Sequence, residues 1–381
     1  MKKETAVTRR HFLQGSSLAA GAAAISVSAW GEEAAKPKEG KPKILNQQEG
    51  MAYRRLGNTD VYLSVISLGG LAMDPAGNIY HYSVEKGANL IHACLGYMGG
   101  RSIETVGKTM KTDRDKVYLA LKDDFSRGSL ESALKILNTD HVDFIMFNRH
   151  SPDSAKDTRI REQFENWKKE GKVRFSGLTT HDRVKETTAA GIDSGMFNIV
   201  MPALDQSQLE AMAEELRTAK EKNVGVMAMK SMKGMRDLEL QSSFVKKLLK
   251  NPGLTTITKG FNSFEMFDAY AKAAKETLTS SEDWKLYKYA QATRNTNCMM
   301  CGQCVPECPN HIAISSMLRS SDYYFDQCGD VELARATYAE IPSECRAESC
   351  EECGRCEKVC PNRIAIRERL ALCRSRLAAL V

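Results

Sequence analysis

Short apolar or β-branched runs alternate with longer amphipathic runs from residue 51 onward. This alternation is typical of repeated βα units that build a parallel sheet. Helical patterns such as SQLEAMAEELRTAKEKN follow the short runs and usually end near Gly or Asn. The pattern predicts an α/β fold, a (β/α)8 TIM barrel over residues 51–282; the alternative is an open doubly wound sheet, although no clear dinucleotide glycine fingerprint supports it. The eight strand candidates are 65–70, 89–94, 116–122, 142–147, 172–180, 198–204, 225–231 and 254–260.

The first 50 residues do not follow this pattern. TRRHFL at 8–13 precedes an Ala/Gly/Ser-rich run that is too short and too weakly apolar for a stable membrane span. Residues 1–31 resemble a twin-arginine export signal, which implies delivery of the folded protein to the periplasm or another extracytoplasmic site by the twin-arginine machinery. An uncleaved signal would leave a membrane anchor, and the alternative is an amphipathic or disordered tail. Residues 32–50 are charged and lack an apolar period, so they predict a flexible linker.

The composition is that of a soluble globular protein. The chain has 381 residues, of which 42% are hydrophobic and 27% charged, so it can form one large domain and a small one. The net charge of +6 is modest, and the basic residues are scattered among acidic ones. We therefore expect no nucleic-acid partner.

Eight of the twelve cysteines lie in two copies of one motif, CMMCGQCVPECP at 298–309 and CEECGRCEKVCP at 350–361. In a CxxCxxCxxxCP run, three thiolates bind one [4Fe-4S] cluster and the fourth binds the other cluster. The motifs predict a small α-rich, ferredoxin-like domain over residues 283–381 that holds two [4Fe-4S] clusters. The alternatives are two structural zinc sites or disulfides. The predicted ligand sets are Cys298, Cys301, Cys304 and Cys360 for one cluster, and Cys350, Cys353, Cys356 and Cys308 for the other.

About forty residues separate the two motifs. The segment LRSSDYYFDQCGDVELARATYAEIP has helical periodicity, and we expect it to pack against the barrel. Cys328 and Cys345 lie in or beside it and are interpreted as ordinary thiols.

Several segments together resemble the aldo/keto reductase family: RRLGNTDVYLSVISLGG, EKGANLIHACLGYMGGRSIETVGKTMK, LNTDHVDFIMF, KEGKVRFSGLTTH and LTTITKGFNSFEMFDAYAKAA. The tail is similar to the ferredoxin-type extension of the iron-sulfur branch of that family. The resemblance implies a barrel that reduces a carbonyl with NADPH, using a Tyr as proton donor, a Lys and Asp beside it, and a His that orients the substrate.

The resemblance assigns the proton donor to Tyr97 and its lysine to Lys122. The other two catalytic positions carry His92 in place of Asp and Asn148 in place of His. We expect proton transfer to be weakened by these changes, because the carboxylate that would fix the lysine is missing. His150 is a candidate substitute donor or a surface loop residue.

The resemblance also implies contacts to NADP(H) at Thr179, Thr180, Lys259, Gly260 and Ser263, and Lys230 ends a strand at the same mouth. Met201 replaces a Gln expected at the nicotinamide, and Tyr270 or a neighbour replaces an adenine-binding Asn. NADP(H) is therefore a candidate cofactor whose contacts are altered.

These observations support three hypotheses. The first is an exported iron-sulfur oxidoreductase. Its barrel site would bind a small carbonyl-like substrate, and its two clusters would relay electrons between that site and a redox partner protein. The second is an electron-transfer protein or subunit whose barrel is not catalytic. The third is an NADPH-dependent carbonyl reductase.

Overall fold

The structure, a computed structural model, describes residues 44–70, 77–123 and 128–378. Eight parallel strands close into a barrel in which the last strand pairs with both the first and the seventh. The predicted barrel is confirmed, and the open doubly wound alternative is wrong. Seven barrel strands lie inside their predicted runs, and β6 extends one residue beyond its run, to Asn148. The barrel strands are β3 Ile66–Leu68, β4 Leu90–Ala93, β5 Tyr118–Lys122, β6 Val142–Asn148, β7 Val173–Thr180, β8 Ile199–Pro202, β9 Gly225–Met229 and β10 Thr256–Lys259.

A hairpin of β1 Tyr53–Arg55 and β2 Tyr62–Ser64 precedes the barrel. The helices between strands are amphipathic, and α2 buries Ile103, Val106 and Met110 at helical spacing. The described helices of this part are α1 Asn78–Glu85, α2 Arg101–Asp113, α3 Leu130–Ile136, α4 Arg159–Lys169, α5 Val184–Ser194, α6 Gln206–Ala211, α7 Ala213–Glu221, α8 Leu238–Leu249 and α9 Phe264–Ala273.

Residues 44–50 were expected to belong to the flexible linker, but they are hydrogen bonded to the barrel. The Asn46 side chain donates to the carbonyl oxygens of Val84 at 2.7 Å and Ala88 at 3.2 Å, beyond the end of α1. The Tyr53 hydroxyl donates to the Asn46 carbonyl oxygen at 2.9 Å. These bonds attach the segment to the end of α1 and to the residues that follow it. The predicted export signal and residues 32–43 lie outside the described residues.

The C-terminal part, as we call residues 280–378, is α-rich, as predicted. Its apolar core includes Met317, Leu333 and Tyr338, and Cys94 and Tyr97 of the barrel belong to the same apolar cluster. The predicted insert therefore packs against the barrel mouth. No helix of the described ranges is long and apolar enough to cross a membrane. The elements are α10 Ser280–Thr293, α11 Ile314–Leu318, a π-helical segment Arg319–Gln327, α12 Val331–Ala339, α13 Arg355–Lys358 and α14 Ile366–Leu377.

Candidate active site and cysteine cavities

A cavity of about 730 Å³ opens at the carboxyl ends of the barrel strands. This end is where (β/α)8 barrels place their active sites. The strands contribute His92 from β4, Thr258 and Lys259 from β10, and Lys230 directly after β9. Residues 323 and 326–332 of the C-terminal part form another wall. The barrel pocket, as we call this cavity, is thus built by both parts of the chain.

Three of the four predicted catalytic residues lie together. Tyr97 begins a 3-10 turn after β4, and its ring centroid is 6.0 Å from the Lys122 ammonium nitrogen. The ring of His92 lies 6.2 Å from the ring of Tyr97, centroid to centroid. Burial, reinforced by the charge of Lys122, lowers the pKa of His92 to about 3, so its imidazole is neutral at physiological pH. Its Nε2 atom is buried without a hydrogen-bond partner.

Asn148 belongs to a separate polar group at the end of β6. Its amide nitrogen lies 3.0 Å from His150 Nε2, and its amide oxygen lies 3.2 Å from His181 Nδ1. His150 is exposed, as the loop interpretation expected, whereas His181 is buried. Burial and the nearby Lys230 lower the pKa of His181 well below its usual value. Asn148 and the two imidazoles therefore form a polar cluster beside the pocket.

The predicted cofactor contacts divide into two groups. Lys230, Lys259 and Gly260 line the barrel pocket. The hydroxyls of Thr179, Thr180 and Ser263 have partners within the protein. The Thr179 hydroxyl contacts Met229 Sδ at 3.6 Å, and the Thr180 hydroxyl donates to the Asp182 carbonyl oxygen at 3.0 Å. The Ser263 hydroxyl accepts from the Met266 N–H at the start of α9. Among the predicted contacts, the first group therefore lines the pocket, and the second group is bonded within the protein.

Tyr270 does not take part in a cofactor site. It is fully buried, and its hydroxyl donates to Gln241 Oε1 at 2.7 Å between α9 and α8. Tyr270, which the resemblance places at or beside the position of an adenine-binding Asn, therefore packs in the core. Met201 lines the pocket.

The C-terminal part supplies site residues that the sequence interpretation missed. The Lys230 ammonium lies 3.8 Å from the Tyr323 ring centroid and 4.4 Å from that of Tyr324, and it donates to the Tyr324 hydroxyl at 3.3 Å. These are cation–π distances. Lys230 also has a left-handed backbone with φ 54°, which is uncommon outside glycine and is frequent at functional sites. Cys328, interpreted as an ordinary thiol, lines the same pocket. In the sequence, the pair of adjacent tyrosines in the helical insert is the feature that could have indicated this contact.

The eight motif cysteines surround two small cavities. All twelve cysteines fall in the described ranges, and none forms a disulfide, so the disulfide alternative is wrong. The first cavity is lined by Cys298, Cys301, Cys304 and Cys360, and the second by Cys308, Cys350, Cys353 and Cys356. We call these groups the first and second cysteine sets. They have the same members as the two predicted ligand sets.

The spacing of these thiols differs from that of a single-ion site. Within residues 44–70, 77–123 and 128–378, no three His, Cys, Asp or Glu side chains are close enough to hold one metal ion. Tetrahedral zinc would bring its sulfur ligands to about 3.8 Å from one another, given zinc–sulfur bonds of about 2.3 Å.

The two motifs also adopt matching backbone conformations. Positive φ angles occur at equivalent positions of the two copies, and Gly302 at 74° corresponds to Gly354 at 71°. Backbone N–H groups lie 3.4 to 3.5 Å from the sulfurs of Cys298 and Cys360, as donors to a thiolate would. The repeat in sequence is therefore a repeat in structure. The other equivalent pairs are Met300 with Glu352 and His311 with Arg363.

The first cysteine set adjoins the barrel pocket. Lys233 lines the pocket, pairs with Asp205 at 3.0 Å and donates a hydrogen bond to the Cys298 carbonyl oxygen. The Val184 N–H of the barrel donates to the Met300 carbonyl oxygen at 3.3 Å. The loop that carries the first set is thus attached directly to the barrel rim.

Comparisons with known proteins agree with this architecture. Residues 65–282 match the description "Aldo/keto reductase family". An oxidoreductase of Bacillus subtilis strain 168, YqkF, described as uncharacterized, is 24% identical over 292 residues, which cover 62% of this chain and 95% of YqkF. Among solved structures, the holo form of aldo-keto reductase AKR11C1 from Bacillus halodurans has a TM-score of 0.52 at 21% identity, covering 62% of this chain and 96% of that one. The aldo-keto reductase PA4992 from Pseudomonas aeruginosa has a TM-score of 0.50 at 20% identity, covering 58% and 95%.

Proposed function

Since this chain belongs to the aldo/keto reductase family and is an oxidoreductase, we propose that its barrel pocket exchanges electrons with a partner protein through two [4Fe-4S] clusters. The observation that carries this proposal is the grouping of the eight motif cysteines into two sets of four, each around its own cavity. Each set combines three cysteines of one motif with the last cysteine of the other, which is the ligand exchange typical of two-cluster ferredoxins.

The residues of both sets fit such clusters. Four thiols surround each cavity, backbone N–H groups point at sulfur, and glycines with positive φ let the loops turn closely. Two bound [4Fe-4S] clusters would supply one-electron transfer between a partner and the pocket.

The two cysteine sets have different surroundings. The first set is attached to the barrel rim through Lys233 and Met300. Ile314 lines both cavities and so lies between them, and Cys353 of the second set is exposed. This arrangement favours an electron route from pocket to first set to second set to partner, with the partner docking near Cys353.

The barrel residues would handle the protons. In the reducing direction, a carbonyl takes two electrons, which originate in the reduced partner, and two protons, and it becomes an alcohol. Tyr97 is placed to donate the proton that reaches oxygen, and solvent supplies the second proton and reprotonates Tyr97. Lys122 stabilises the phenolate by its charge, and neutral His92 adds no competing positive charge.

The other two hypotheses have less support. Of the predicted NADP(H) contacts, Thr179, Thr180 and Ser263 have hydrogen-bond partners within the protein. This supports a pocket that works without tight NADP(H) binding. A noncatalytic barrel is disfavoured by the convergence of Tyr97, Lys122 and His92.

We also propose export by the twin-arginine machinery, on the strength of the TRRHFL motif and the Ala/Gly/Ser-rich run after it. That machinery carries folded proteins, so clusters inserted in the cytoplasm would survive transport. An extracytoplasmic protein also meets little free NADPH, which agrees with electron supply by a partner.

The test is anaerobic purification of the full chain with iron, acid-labile sulfide and zinc measured on one sample. We expect about eight irons and eight sulfides per chain, because each cluster holds four of each. NADPH should leave the oxidised clusters unreduced, whereas dithionite should reduce them, as followed by electron paramagnetic resonance. A colourless protein containing zinc and no sulfide would overturn the proposal.

A matched pair of variants then separates catalysis from electron carriage. Tyr97→Phe should abolish turnover of a carbonyl substrate while the clusters still reduce and reoxidise at the wild-type rate. Tyr287→Phe, an exposed tyrosine on α10, is the control and should change neither. Unchanged turnover in Tyr97→Phe would favour the electron carrier with a noncatalytic barrel.

A further inference from the structure

Two lysines of the barrel pocket have no carboxylate partner in its described walls. Lys230 and Lys259 line it, and among the described residues neither ammonium has a carboxylate at ion-pair distance. Burial lowers the pKa of both lysines, and Arg319 adds to the effect on Lys230. Cys328 is near both, but burial raises the pKa of its thiol, so it supplies no compensating charge at neutral pH. The charged form of a buried lysine is costly without a counterion, and an anionic ligand would stabilise that form.

The acidic residues of the pocket walls do not fill this role. Asp326 pairs with Arg376 at 2.6 Å, and Asp330 accepts hydrogen bonds from backbone N–H groups. Glu332 is exposed at the rim. Lys233, the third lysine of the pocket, already has Asp205 as its partner and needs no further anion.

Two buried polar atoms in the pocket also lack partners. Thr258 Oγ1 and His92 Nε2 are shielded from solvent, belong to residues that line the cavity, and make no hydrogen bond. Buried polar groups are seldom left unsatisfied, and exceptions at a cavity indicate a ligand. A hydroxyl and a neutral imidazole can each donate to or accept from a ligand oxygen.

The remaining wall is apolar and adaptable. It is formed by Met201, Met229, Met232 and Met235, whose flexible thioether side chains fit irregular apolar shapes. A bare inorganic ion would leave this surface without a contact. The pocket therefore suits a molecule with a charged group at one end and an apolar body.

We propose that the barrel pocket binds a small organic anion that also carries a carbonyl group, with its carboxylate beside Lys259 and Lys230 and its apolar body against the methionines. This inference rests on the proposed function, because it names the substrate class for the same pocket. Thr258 and His92 supply the hydrogen bonds that the ligand oxygens complete.

The test is isothermal titration calorimetry on the anaerobically purified full chain, with 2-oxobutyrate as the probe and butanone as its uncharged counterpart. We expect 2-oxobutyrate to bind and butanone to bind at least about tenfold more weakly. Lys259→Met, which removes the charge and keeps most of the length of the side chain, should weaken 2-oxobutyrate binding about tenfold or more, and Lys259→Arg should restore most of it. Lys272→Met, at an exposed position of α9, is the control and should bind like wild type.

The other outcomes each overturn the proposal. Equal binding of the two probes, or normal binding by Lys259→Met, would show that charge at Lys259 does not select the ligand. Binding of inorganic phosphate or NADPH that depends on Lys259, without binding of 2-oxobutyrate, would assign the lysines to a phosphate group. Iron and sulfide measured on the same sample keep the two proposals apart. Missing clusters contradict the proposed function, whereas full clusters without 2-oxobutyrate binding contradict this inference alone.

Discussion

The carboxylate of Asp330 accepts a hydrogen bond from the backbone N–H of Met98 at 2.8 Å, which ties the C-terminal part to the loop that carries Tyr97. Met98 has φ 51°, and the two glycines after it also have positive φ, so this loop has a conformation that is unfavourable for most residues. The other oxygen of Asp330 accepts from the Leu333 N–H and caps α12. The Asp330 side chain thus bonds to the loop of the candidate proton donor Tyr97 and also caps helix α12.

Replacing this carboxylate should loosen the Tyr97 loop. Asn at position 330 has one acceptor oxygen where Asp has two, so Asp330→Asn cannot keep both bonds. We expect the free energy of unfolding to fall by about 1 kcal/mol and amide exchange at Met98 to become about fivefold faster. Hydrogen exchange followed by mass spectrometry measures the second effect.

Asp237→Asn is the matched control, because Asp237 caps α8 with a single bond from the Leu240 N–H, which the one acceptor oxygen of Asn can keep. It should leave both the free energy of unfolding and the exchange at Met98 nearly unchanged. Equal exchange at Met98 in the two variants would show that the Asp330 bond does not hold the loop.

The buried His92 should make the protein sensitive to acid. Its folded-state pKa of about 3 lies below the usual value of 6.5, so between these two values the unfolded chain binds more protons than the folded one. Its contribution to stability is therefore intact above pH 6.5 and is lost as the pH falls through this window, by up to about 1.4 kcal/mol per pH unit.

His92→Asn removes this titration. Between pH 6.5 and 5.0, the wild type should lose about 1.5 kcal/mol more of its unfolding free energy than the variant does, as measured by urea denaturation. His311→Asn changes an exposed histidine and should keep the wild-type pH slope. A His92→Asn slope equal to that of the wild type would contradict the buried, neutral state of His92.

Tyr270 should matter for stability and not for ligands. Tyr270→Phe leaves Gln241 Oε1 buried without the hydroxyl that now donates to it. We expect a loss of about 1 to 2 kcal/mol in the free energy of unfolding, with unchanged iron content. Tyr287→Phe, at an exposed position, should lose almost nothing. A fall in NADPH or 2-oxobutyrate affinity in Tyr270→Phe would restore a binding role for this residue.

The sequence predicted the parts of the molecule that depend on local patterns of apolar, polar and cysteine residues. The eight strands were found because each is a short apolar run between amphipathic helices. The two cysteine sets followed from the repeated motif. By contrast, the stacking of Tyr323 on Lys230 joins residues far apart in the chain, and no periodicity encodes which insert residue reaches which strand end. The burial of Tyr270 was not predicted, because the resemblance located the segment but not the side of α9 that faces the core.

The grouping of the cysteines gives the sharpest test of the C-terminal part. If one cluster is held by Cys298 and Cys360 together, Ala substitutions at both should remove only that cluster. The double variant Cys298→Ala/Cys360→Ala should then keep about four irons. Cys298→Ala/Cys308→Ala removes one cysteine from each set and should keep almost no iron.

In the alternative grouping, each motif holds its own cluster. Cys298 and Cys308 would then bind the same cluster, whereas Cys298 and Cys360 would bind different clusters. The two double variants would therefore exchange their expected iron contents. Iron analysis and integrated electron paramagnetic resonance of the reduced proteins distinguish the two patterns. Cys345→Ala is the control, since Cys345 lines neither cavity, and it should keep about eight irons. Retention of iron in Cys298→Ala/Cys308→Ala, with its loss in Cys298→Ala/Cys360→Ala, would contradict the exchange of ligands between the motifs.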